Sequence, residues 1–546
     1  MRNSAGSLVR SAAALLCLLA AATLAATPAD LTSGAALYRN GRLPSGDPVR
    51  ATRAAGATMQ GADAACSSCH RRSGLGSIEG TVTIPPIAGP YLFAPTGASL
   101  EHLGIPFVDT VRIKHEAYTD DTLARAIRDG ISADGRTLNY LMPRYPLDDA
   151  AMAKLLAYLK SIKVTPAPGV TPAVLHFATI ITPDADPLKR LGMLDVIKQY
   201  FEDKTGAAAR TTKAPVLYSS HTTMFRVQRR WQLHVWELHG APATWQEQLQ
   251  RFLATEPVLA VISGIGGAHW DQVQRFCEEA SLPCLFPNVE APSGRDSDFY
   301  SVYFSRGVLL EAQLIARELA DAAPPLRRVV QVYREGDVGE AAARTLQREI
   351  GAGSDIALEN HPLRANASAQ QLAAAIRGMG TADALVLWLR PADLSLLPQR
   401  PEATSRVWIS GQMGGLEQAP VPPQWRSAAH MAYPVDLPGR RVVRVDYALS
   451  WFRIRRIPVV AQQVQVDTYL ACGLVSEVLN HMVDAFVRDY LVERIEMALD
   501  HRVLTGYYPH LSLAPGQRFA SKGGYMVRFA DPQGTRVTPL GDWITP

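Results

Sequence analysis

Cysteine is scarce in this sequence, and neither sign of charge is in large excess. Six cysteines are spread over 546 residues, too few for a fold built on disulfides. Lys plus Arg total 55 and Asp plus Glu total 51, so the formal net charge is only +4 and no large basic field gathers nucleic acid. We therefore expect no nucleic-acid partner. The 47% hydrophobic content excludes disordered and fibrous classes.

Long uncharged apolar stretches are missing beyond the N-terminus. Two arginines precede a run of mostly Ala and Leu over residues 11–26. This pattern is typical of a secretory signal peptide covering residues 1–26, and cleavage would remove Cys17 with it. The run is shorter than the roughly 20 residues of a membrane-spanning helix, although an uncleaved anchor is the alternative. We expect an exported, periplasmic protein with no membrane span after cleavage.

The pattern Cys66-Ser67-Ser68-Cys69-His70 is the strongest chemical signal in the chain. Two thiols at this spacing can each form a thioether to a haem vinyl group, and the adjacent imidazole can reach the iron from one side. The alternatives are a short disulfide and a zinc site, for which only His102 and His115 stand nearby as further ligands. We expect one covalently bound haem c.

The imidazole of His70 needs a partner that orients its ring. An iron-bound histidine usually donates its other ring N–H to a backbone carbonyl. We expect this acceptor within residues 84–89, with Pro85 as the first choice, although proline clusters also form plain turns. Arg71 and Arg72 follow the motif; they could face haem propionates, but exposure to solvent is the simpler expectation.

Residues 119–162 predict two helices joined by a loop. The first covers Thr119 to Arg128, with Gly130 just past its end. The second begins near residues 147–149 and carries an apolar stripe that includes Met152. A methionine in such a stripe is usually a core residue.

Met142 lies in the loop between these helices, next to a proline. An extended thioether there can point into a crevice, so we expect Met142 to be the sixth iron ligand. His102 and His115 are the alternatives.

Residues 30–163 as a whole resemble an all-α, class I c-type cytochrome. The haem motif, the Ile-Pro-x-x-Ala-Gly stretch and Met-Pro-x-Tyr before a final Ala-Tyr-Leu helix stand in the expected order. The resemblance implies that Cys66 and Cys69 hold the haem and that His70 and Met142 are the axial ligands. Ligation by His and Met fills both axial positions, which suits electron transfer rather than binding of oxygen or peroxide.

A proline-rich linker, residues 164–172, precedes a long region in which apolar strand-like runs alternate with helical patterns. Such alternation predicts a parallel α/β architecture. The predicted strands are 174–181, 233–236, 258–262, 284–286, 329–333, 384–388 and 407–409. The predicted helices between them include 245–253, 270–280, 308–320 and 369–379.

Residues 173–546 resemble the type I periplasmic binding proteins of the leucine, isoleucine and valine family, the substrate-binding components of ABC transporters. The order of the matching pieces carries this resemblance, and these pieces are residues 258–264, 280–287, 327–333 and a closing hairpin of 523–527 with 541–544. The resemblance implies two α/β lobes with a ligand-binding cleft between them.

The first lobe's share of the cleft would consist of hydroxyl and backbone N–H groups. Members of this family that bind amino acids hold the carboxylate in this way, and the matching residues here are Ser263 and Gly264, with Gly266 and Gly267. These glycines are too irregularly spaced for a dinucleotide-binding motif.

The second lobe's share is less regular. Val338 stands where family members often have an aromatic ring. Arg390 and Asp393 fall in one cleft loop, where Arg390 would favour an anionic ligand unless it is solvated. Gln412 and Glu417 follow the next strand and could meet an ammonium group. A lost or altered small-molecule site is the alternative.

Cys277 and Cys284 stand at the end of a predicted helix and the start of the next strand. In an oxidising compartment they could form a disulfide, and two separate buried thiols are the alternative. Cys472 is expected to be a small core residue.

These patterns together predict an electron-transfer protein more than an enzyme. Its redox partners would be a periplasmic dehydrogenase and a respiratory acceptor. The second domain would dock a partner or sense a small molecule such as an amino acid or organic acid. The alternatives are a haem-dependent oxidoreductase with its substrate in the cleft and a transport-type solute receptor.

Overall fold

The chain forms two compact units in a computed structural model. Unit 1 comprises Met1–Ser67 and Ala117–Ile162, and unit 2 comprises Ser68–Glu116 and Lys163–Pro546. The structure describes residues 27–79, 82–94, 116–211, 229–292, 294–295, 298–351, 354–380, 382–400, 406–482, 485–514 and 516–546. The predicted signal peptide, His102 and His115 lie outside these residues.

Unit 1 is built on three helices, Pro28–Asn40, Asp120–Asp129 and Asp149–Ser161. The second begins at the Thr119 cap and ends at Gly130, which adopts φ +71°. The backbone of the first helix closely approaches the third at Gly34, where an added Cβ would lie 2.2 Å from the Lys154 carbonyl oxygen. Met152 is 3% exposed, so the prediction that it is a core residue is confirmed.

Unit 1 is not purely helical, which corrects the expectation of an all-α domain. The strands Arg50–Thr52 and Thr58–Gln60 form an antiparallel ribbon, and the short 3-10 helix Gly61–Ala64 follows it. The ribbon turns at Gly56, whose φ of +85° is a left-handed conformation that most side chains disfavour. Residues of the ribbon are mostly exposed, so they carry no apolar pattern from which these two strands could have been predicted.

The segment after Ser67 belongs to unit 2, so the division differs from the predicted 30–163 domain. The described part of this segment contains the short helices Ser67–His70 and Gly89–Leu92, with the antiparallel strands Ser77–Glu79 and Val82–Ile84 between them. Its side chains pair with the helix Arg488–Asp500, as described below, which explains the grouping.

The first lobe of unit 2 is formed around a parallel sheet, hereafter the first sheet. Its central strand, Val174–Ile181, lies between Arg230–Glu237 on one side and Ala260–Ile262 on the other, followed outward by Cys284–Leu285 and Ser301–Val302. Two short strands, Ile265–Gly266 and Asn288–Val289, extend it. The helices Pro187–Thr211, Trp245–Thr255 and Asp271–Glu279 connect the strands.

The second lobe repeats this strand order around the second sheet. Arg328–Arg334 lies between Ala357–Leu363 and Ala384–Trp388, followed by Arg406–Ser410 and Ala429–Tyr433. Tyr525–Phe529 and Val537–Pro539 then add two antiparallel strands. The connecting helices are Val308–Ala320, Val338–Ile350, Ala369–Gly378, Pro391–Leu394, Gly411–Gly414 and Pro423–Arg426.

An order of second, first, third, fourth and fifth strands is that of a doubly wound α/β layer, in which ligands bind beyond the carboxyl ends of the strands. The prediction of a two-lobed parallel α/β region after residue 173 is therefore confirmed. Three long helices complete unit 2, Pro438–Arg455, Gln462–Met482 and Arg488–Asp500. None of the helices in the described part of the chain has the length and apolar character needed to cross a bilayer.

Candidate functional site

The CxxCH motif has two thiols outside any disulfide and a buried, oriented histidine. Cys66 and Cys69 are not disulfide-bonded, and both are partly exposed. His70 is 7% exposed, and its Nδ1 lies 2.9 Å from the carbonyl oxygen of Pro85. The prediction that Pro85 supplies the orienting carbonyl is confirmed.

This hydrogen bond decides which ring nitrogen is available for a metal. A carbonyl only accepts, so Nδ1 carries the hydrogen and Nε2 keeps its lone pair. Burial lowers the pKa of His70 against the opposing effect of the Pro85 hydrogen bond, which favours the neutral imidazole that a metal requires. Two thiols that are not disulfide-bonded and an imidazole whose Nε2 keeps its lone pair are the donor set that a c-type haem uses, so these residues fit the group.

Met142 lies on the interhelical loop of unit 1 and is partly buried. Its backbone N–H donates to the carbonyl of Asn139 at 3.0 Å, which closes a turn ahead of Pro143. The loop position agrees with the sequence expectation, and ligation of iron by Met142 stays a prediction.

Arg71 and Arg72 are largely buried and ion-paired, so the expectation that they are exposed to solvent is wrong, and contact with haem propionates stays a prediction. Arg71 pairs with Glu496, and the two side chains are 11% and 3% exposed. Arg72 Nε lies 3.3 Å from Asp489, and its guanidinium lies 4.5 Å from the centre of the Phe299 ring. Both carboxylates belong to the helix Arg488–Asp500, so the residues next to His70 are fixed to that helix.

Ser73 makes the most completely buried of these contacts. Its N–H donates to Glu493 at 2.8 Å, and its hydroxyl donates to the same carboxyl group at 2.6 Å. Burial raises the pKa of Glu493 to about 8 although Arg71 and the Ser73 hydrogen bonds act in the opposite direction. Glu496 also pairs with Arg518, which is itself 3% exposed. A buried cluster of charges thus surrounds the chain just after the haem motif.

The first-lobe cleft residue Ser263 is enclosed and hydrogen-bonded. Its hydroxyl lies 2.8 Å from the hydroxyl of Thr468 and accepts from the amide of Asn288 at 2.9 Å. Ser263 is 0% exposed and adopts φ +50°, a strained conformation for a residue with a side chain. Its hydroxyl is already used in this polar cluster.

The glycines after Ser263 bring backbone N–H groups to a carboxylate of the protein itself. The N–H groups of Gly267 and Ala268 donate to Asp184 at 3.2 Å and 3.1 Å. Gly264 packs under Trp270, where an added Cβ would lie 2.5 Å from the ring. Asp184 therefore accepts hydrogen bonds from backbone N–H groups that, according to the sequence resemblance, would bind a ligand carboxylate.

Arg390 lies between the two lobes and is ion-paired on both sides. It donates to Asp337 of the second lobe at 2.9 Å and 2.7 Å and lies 2.7 Å from Glu290 of the first lobe. Glu290 also pairs with Lys189 at 2.6 Å. Burial opposes ionisation of Glu290, but Lys189 and Arg390 outweigh it and lower its pKa to about 2. This chain of ion pairs joins the lobes across the cleft.

Gln412 is placed by the buried Glu311. Its backbone N–H donates to Glu311 at 2.8 Å, and the hydroxyl of Ser410 donates to the other oxygen of that carboxyl group. Glu311 is 0% exposed, and burial raises its pKa to about 8. The side chain of Gln412 is partly exposed and is the least committed of the predicted cleft residues.

Asp393 and Glu417 are each paired with an arginine other than Arg390. Asp393 pairs with Arg334 through two short hydrogen bonds of 2.8 Å and 2.6 Å. Glu417 accepts from Arg441 at 2.7 Å and from the hydroxyl of Tyr433 at 2.5 Å. The expected ammonium partner is thus already bound to an arginine. Val338 is a buried helix residue, 1% exposed.

Cys277 and Cys284 lie side by side in the core of the first lobe. Both are 0% exposed, and neither is oxidised. The hydrogen bond between the thiols, together with burial, raises the pKa of Cys277 well above its usual value. Disulfide formation stays a prediction. Cys472 is buried as expected.

Sequence reasoning missed the residues that complete these arrangements. Glu290, Asp184 and Thr468 each contact a predicted cleft residue across more than 60 positions of sequence. None of them stands in a local motif. Only the strand order, which brings the carboxyl ends of parallel strands together, could have brought them into consideration.

Comparison with known proteins found relatives only among solved structures. No family model matches the chain, and no curated protein does. It is similar to a fatty acid ABC transporter substrate-binding protein from Thermomonospora curvata, with 14% identity over 70% of this chain and 95% of that one (TM-score 0.47). It is also similar to a substrate-binding periplasmic protein from Ralstonia solanacearum, with 13% identity over 67% and 99% (TM-score 0.49). A third similar structure is the leucine-binding protein from Thermotoga maritima, with 13% identity over 68% and 99% (TM-score 0.45).

Proposed function

We propose that this chain is a periplasmic electron-transfer protein that carries one covalent haem c and that its two-lobed region docks a partner or binds a small molecule. The observation that carries the proposal is the hydrogen bond between His70 and Pro85 within a CxxCH sequence. It leaves Nε2 as the one metal-binding atom of a buried ring that cannot turn freely.

Each residue of the motif has a defined role in this proposal. Cys66 and Cys69 would hold the haem through thioethers to its vinyl groups, His70 Nε2 would bind the iron, and Met142 would be the second iron ligand from the protein. The bound haem supplies a reversible one-electron couple. The contacts of Arg71, Arg72 and Ser73 fix the backbone next to His70. The histidine would therefore move little when the iron changes its oxidation state.

Covalent attachment is the first test. We expect the protein purified from a host that matures c-type cytochromes to have the mass of the chain without residues 1–26 plus one haem and to give a c-type pyridine haemochrome spectrum. Cys66→Ala with Cys69→Ala removes the covalent haem, whereas Cys472→Ala, which changes a buried cysteine outside the motif, retains it. A protein without haem from that host would contradict the proposal.

The two-lobed architecture favours a second candidate, a transport-type solute receptor. Two α/β lobes joined by the contacts of Arg390 and Glu290 are the arrangement that closes on a ligand. Calorimetric titration with leucine, isoleucine and small organic acids tests this function. Tight binding with an unchanged haem spectrum supports a receptor, whereas binding that alters the spectrum supports ligand sensing by an electron carrier.

The enzyme alternative, a haem oxidoreductase, depends on an iron position open to substrate. A high-spin resting spectrum that changes on addition of cyanide at low concentration would favour it over the carrier. A low-spin spectrum with a methionine-to-iron charge-transfer band supports the carrier.

A further inference from the structure

A cavity of about 300 Å³ lies in unit 2, outside the groups considered so far. It is lined by residues of three helices, Pro187–Thr211, Pro438–Arg455 and Gln462–Met482, together with the segment 502–506. Its volume is at the lower end of the roughly 300–1,000 Å³ of small-molecule sites. A ligand of one ring and one substituent matches this size.

Aromatic rings form one side of this cavity. Tyr469 lies at the centre of the group, with its ring centroid 5.8 Å from that of Tyr200 and 6.3 Å from that of Tyr447. Trp451 stands behind it at 5.0 Å. Tyr447 is 56% exposed, although a tyrosine ring is a large apolar surface. Rings arranged in this way offer edges and faces to a further aromatic ring.

Two arginines, Arg444 and Arg502, also line the cavity. Arg444 donates through Nη2 to Asp436, and Arg502 donates through Nη1 to Glu477. No other side-chain hydrogen bond is made by either arginine within the described part of the chain. The Nε–H group of each arginine is buried and has no acceptor in the described part of the chain. A carboxylate, which only accepts and can take two N–H groups at once, complements them.

The helix Gln462–Met482 separates this cavity from the cleft. Residues at helical spacing on one face line the cavity, namely Val466, Leu470, Gly473 and Glu477. Thr468, which contacts Ser263, is not among the lining residues. The cavity is thus distinct from the cleft between the lobes, although one helix contributes to both.

We propose that this cavity binds a small aromatic carboxylate, with the ring against Tyr200, Tyr447 and Tyr469 and the carboxylate on Arg444 and Arg502. The ring of the ligand packs against the tyrosine rings. Its carboxylate accepts hydrogen bonds from the buried Nε–H groups of the two arginines. This site goes beyond the proposed electron-transfer function and does not depend on it.

Benzoate is the probe that tests the site on the full-length protein. We expect calorimetry to detect one benzoate per chain. Arg444→Gln weakens binding by about tenfold or more, as expected for loss of hydrogen bonds to a charged group. Tyr447→Leu, which changes a largely exposed side chain and leaves the fold intact, weakens it by about threefold. Benzamide and cyclohexanecarboxylate, which lack the charge and the aromatic ring respectively, both bind more weakly than benzoate.

Two control variants locate the ligand. Arg453→Gln removes an exposed arginine of the same helix, 70% exposed, and leaves benzoate affinity unchanged. Arg390→Gln changes the interlobe cleft and also leaves it unchanged. Absence of benzoate binding to the wild-type protein, equal affinity in Arg444→Gln, or loss of binding in Arg390→Gln would each overturn the proposal.

Discussion

Arg390 of the second lobe lies 2.7 Å from the carboxylate of Glu290 in the first lobe. Both side chains are largely buried, 30% and 17% exposed, and each has a further ion-pair partner in its own lobe, Asp337 for Arg390 and Lys189 for Glu290. These ion pairs therefore link the two lobes. This contact can be tested by opening it.

Arg390→Met should open the cleft. The substitution removes the only arginine that Glu290 contacts in the described structure and leaves a largely buried carboxylate with Lys189 alone. We expect small-angle X-ray scattering to show a larger radius of gyration than in the wild type. Arg328→Met serves as the control because its pair with Glu359 lies within the second sheet. An unchanged radius in Arg390→Met would show that packing alone holds the lobes together.

The same ion pairs predict loss of stability in acid. The pKa of Glu290 is lowered from 4.5 to about 2 in the folded protein. A lowered carboxyl pKa contributes stability that is fully present above pH 4.5 and is lost as the pH falls towards 2, roughly 3 kcal/mol in all. Glu290→Gln should remove this part of the acid dependence in urea titrations between pH 5 and 3. A wild-type slope in the variant would contradict the assignment.

Glu493 predicts a pH dependence of the opposite sign. Its pKa is raised from 4.5 to about 8, mainly by burial, so the folded protein holds a proton that the unfolded chain releases. Stability from this group is present below pH 4.5 and decreases as the pH rises towards 8. Glu493→Gln should retain more of its stability at pH 8, relative to pH 5, than the wild type does. Glu349→Gln, a change on an exposed helix position, should match the wild type.

Met142→Ala should change the haem without unfolding the protein. Met142 is only partly buried on a loop, so its loss leaves no large core cavity. We expect the methionine-to-iron charge-transfer band to disappear and the haem to become high-spin. Met152→Leu, a volume-conserving change at a residue 3% exposed, should leave the spectrum unchanged. A retained band in Met142→Ala would assign the sixth ligand to another methionine, whereas a low-spin spectrum without this band in the wild type would direct the test to His102 and His115.

Cys277 and Cys284 should be found oxidised in protein recovered from an oxidising compartment. Two buried thiols already in hydrogen-bond contact need little movement to bond, and closing a loop of this length constrains the unfolded chain by about 2.5 kcal/mol. Alkylation of the denatured, unreduced protein should label Cys472 and neither of these two. Labelling of all three would favour separate buried thiols.

Local patterns predicted the elements that bury an apolar face. The strands Val174–Ile181 and Ala384–Trp388 and the helix Val308–Ala320 have the bounds that the sequence indicates, because parallel strands and packed helices need continuous apolar surface. The ribbon of unit 1 was missed because three-residue exposed strands need no such surface. Pro85 was predicted because iron-bound histidine has a general requirement for an acceptor.

The cleft could not be predicted to the same depth. Arg390 and Gln412 were identified by position after a strand, but their partners Glu290 and Glu311 lie far away in sequence. The burial of Arg71 and Arg72 was missed for the same reason. Their partners Glu496 and Asp489 lie more than 400 positions away, and no local pattern indicates them. Ion pairs between distant elements depend on the whole fold, and local patterns do not encode them.

The pairing of Arg71 with Glu496 bears on how this protein can be dissected. A truncated chain that ends near residue 163 keeps the cysteines and the histidine but loses Glu493 and Glu496, leaving Arg71 and Ser73 without their partners. Residues 71–73 and the helix Arg488–Asp500 therefore depend on each other although they lie more than 400 positions apart in the sequence. Transfer of residues 30–163 to another protein would have to include this helix.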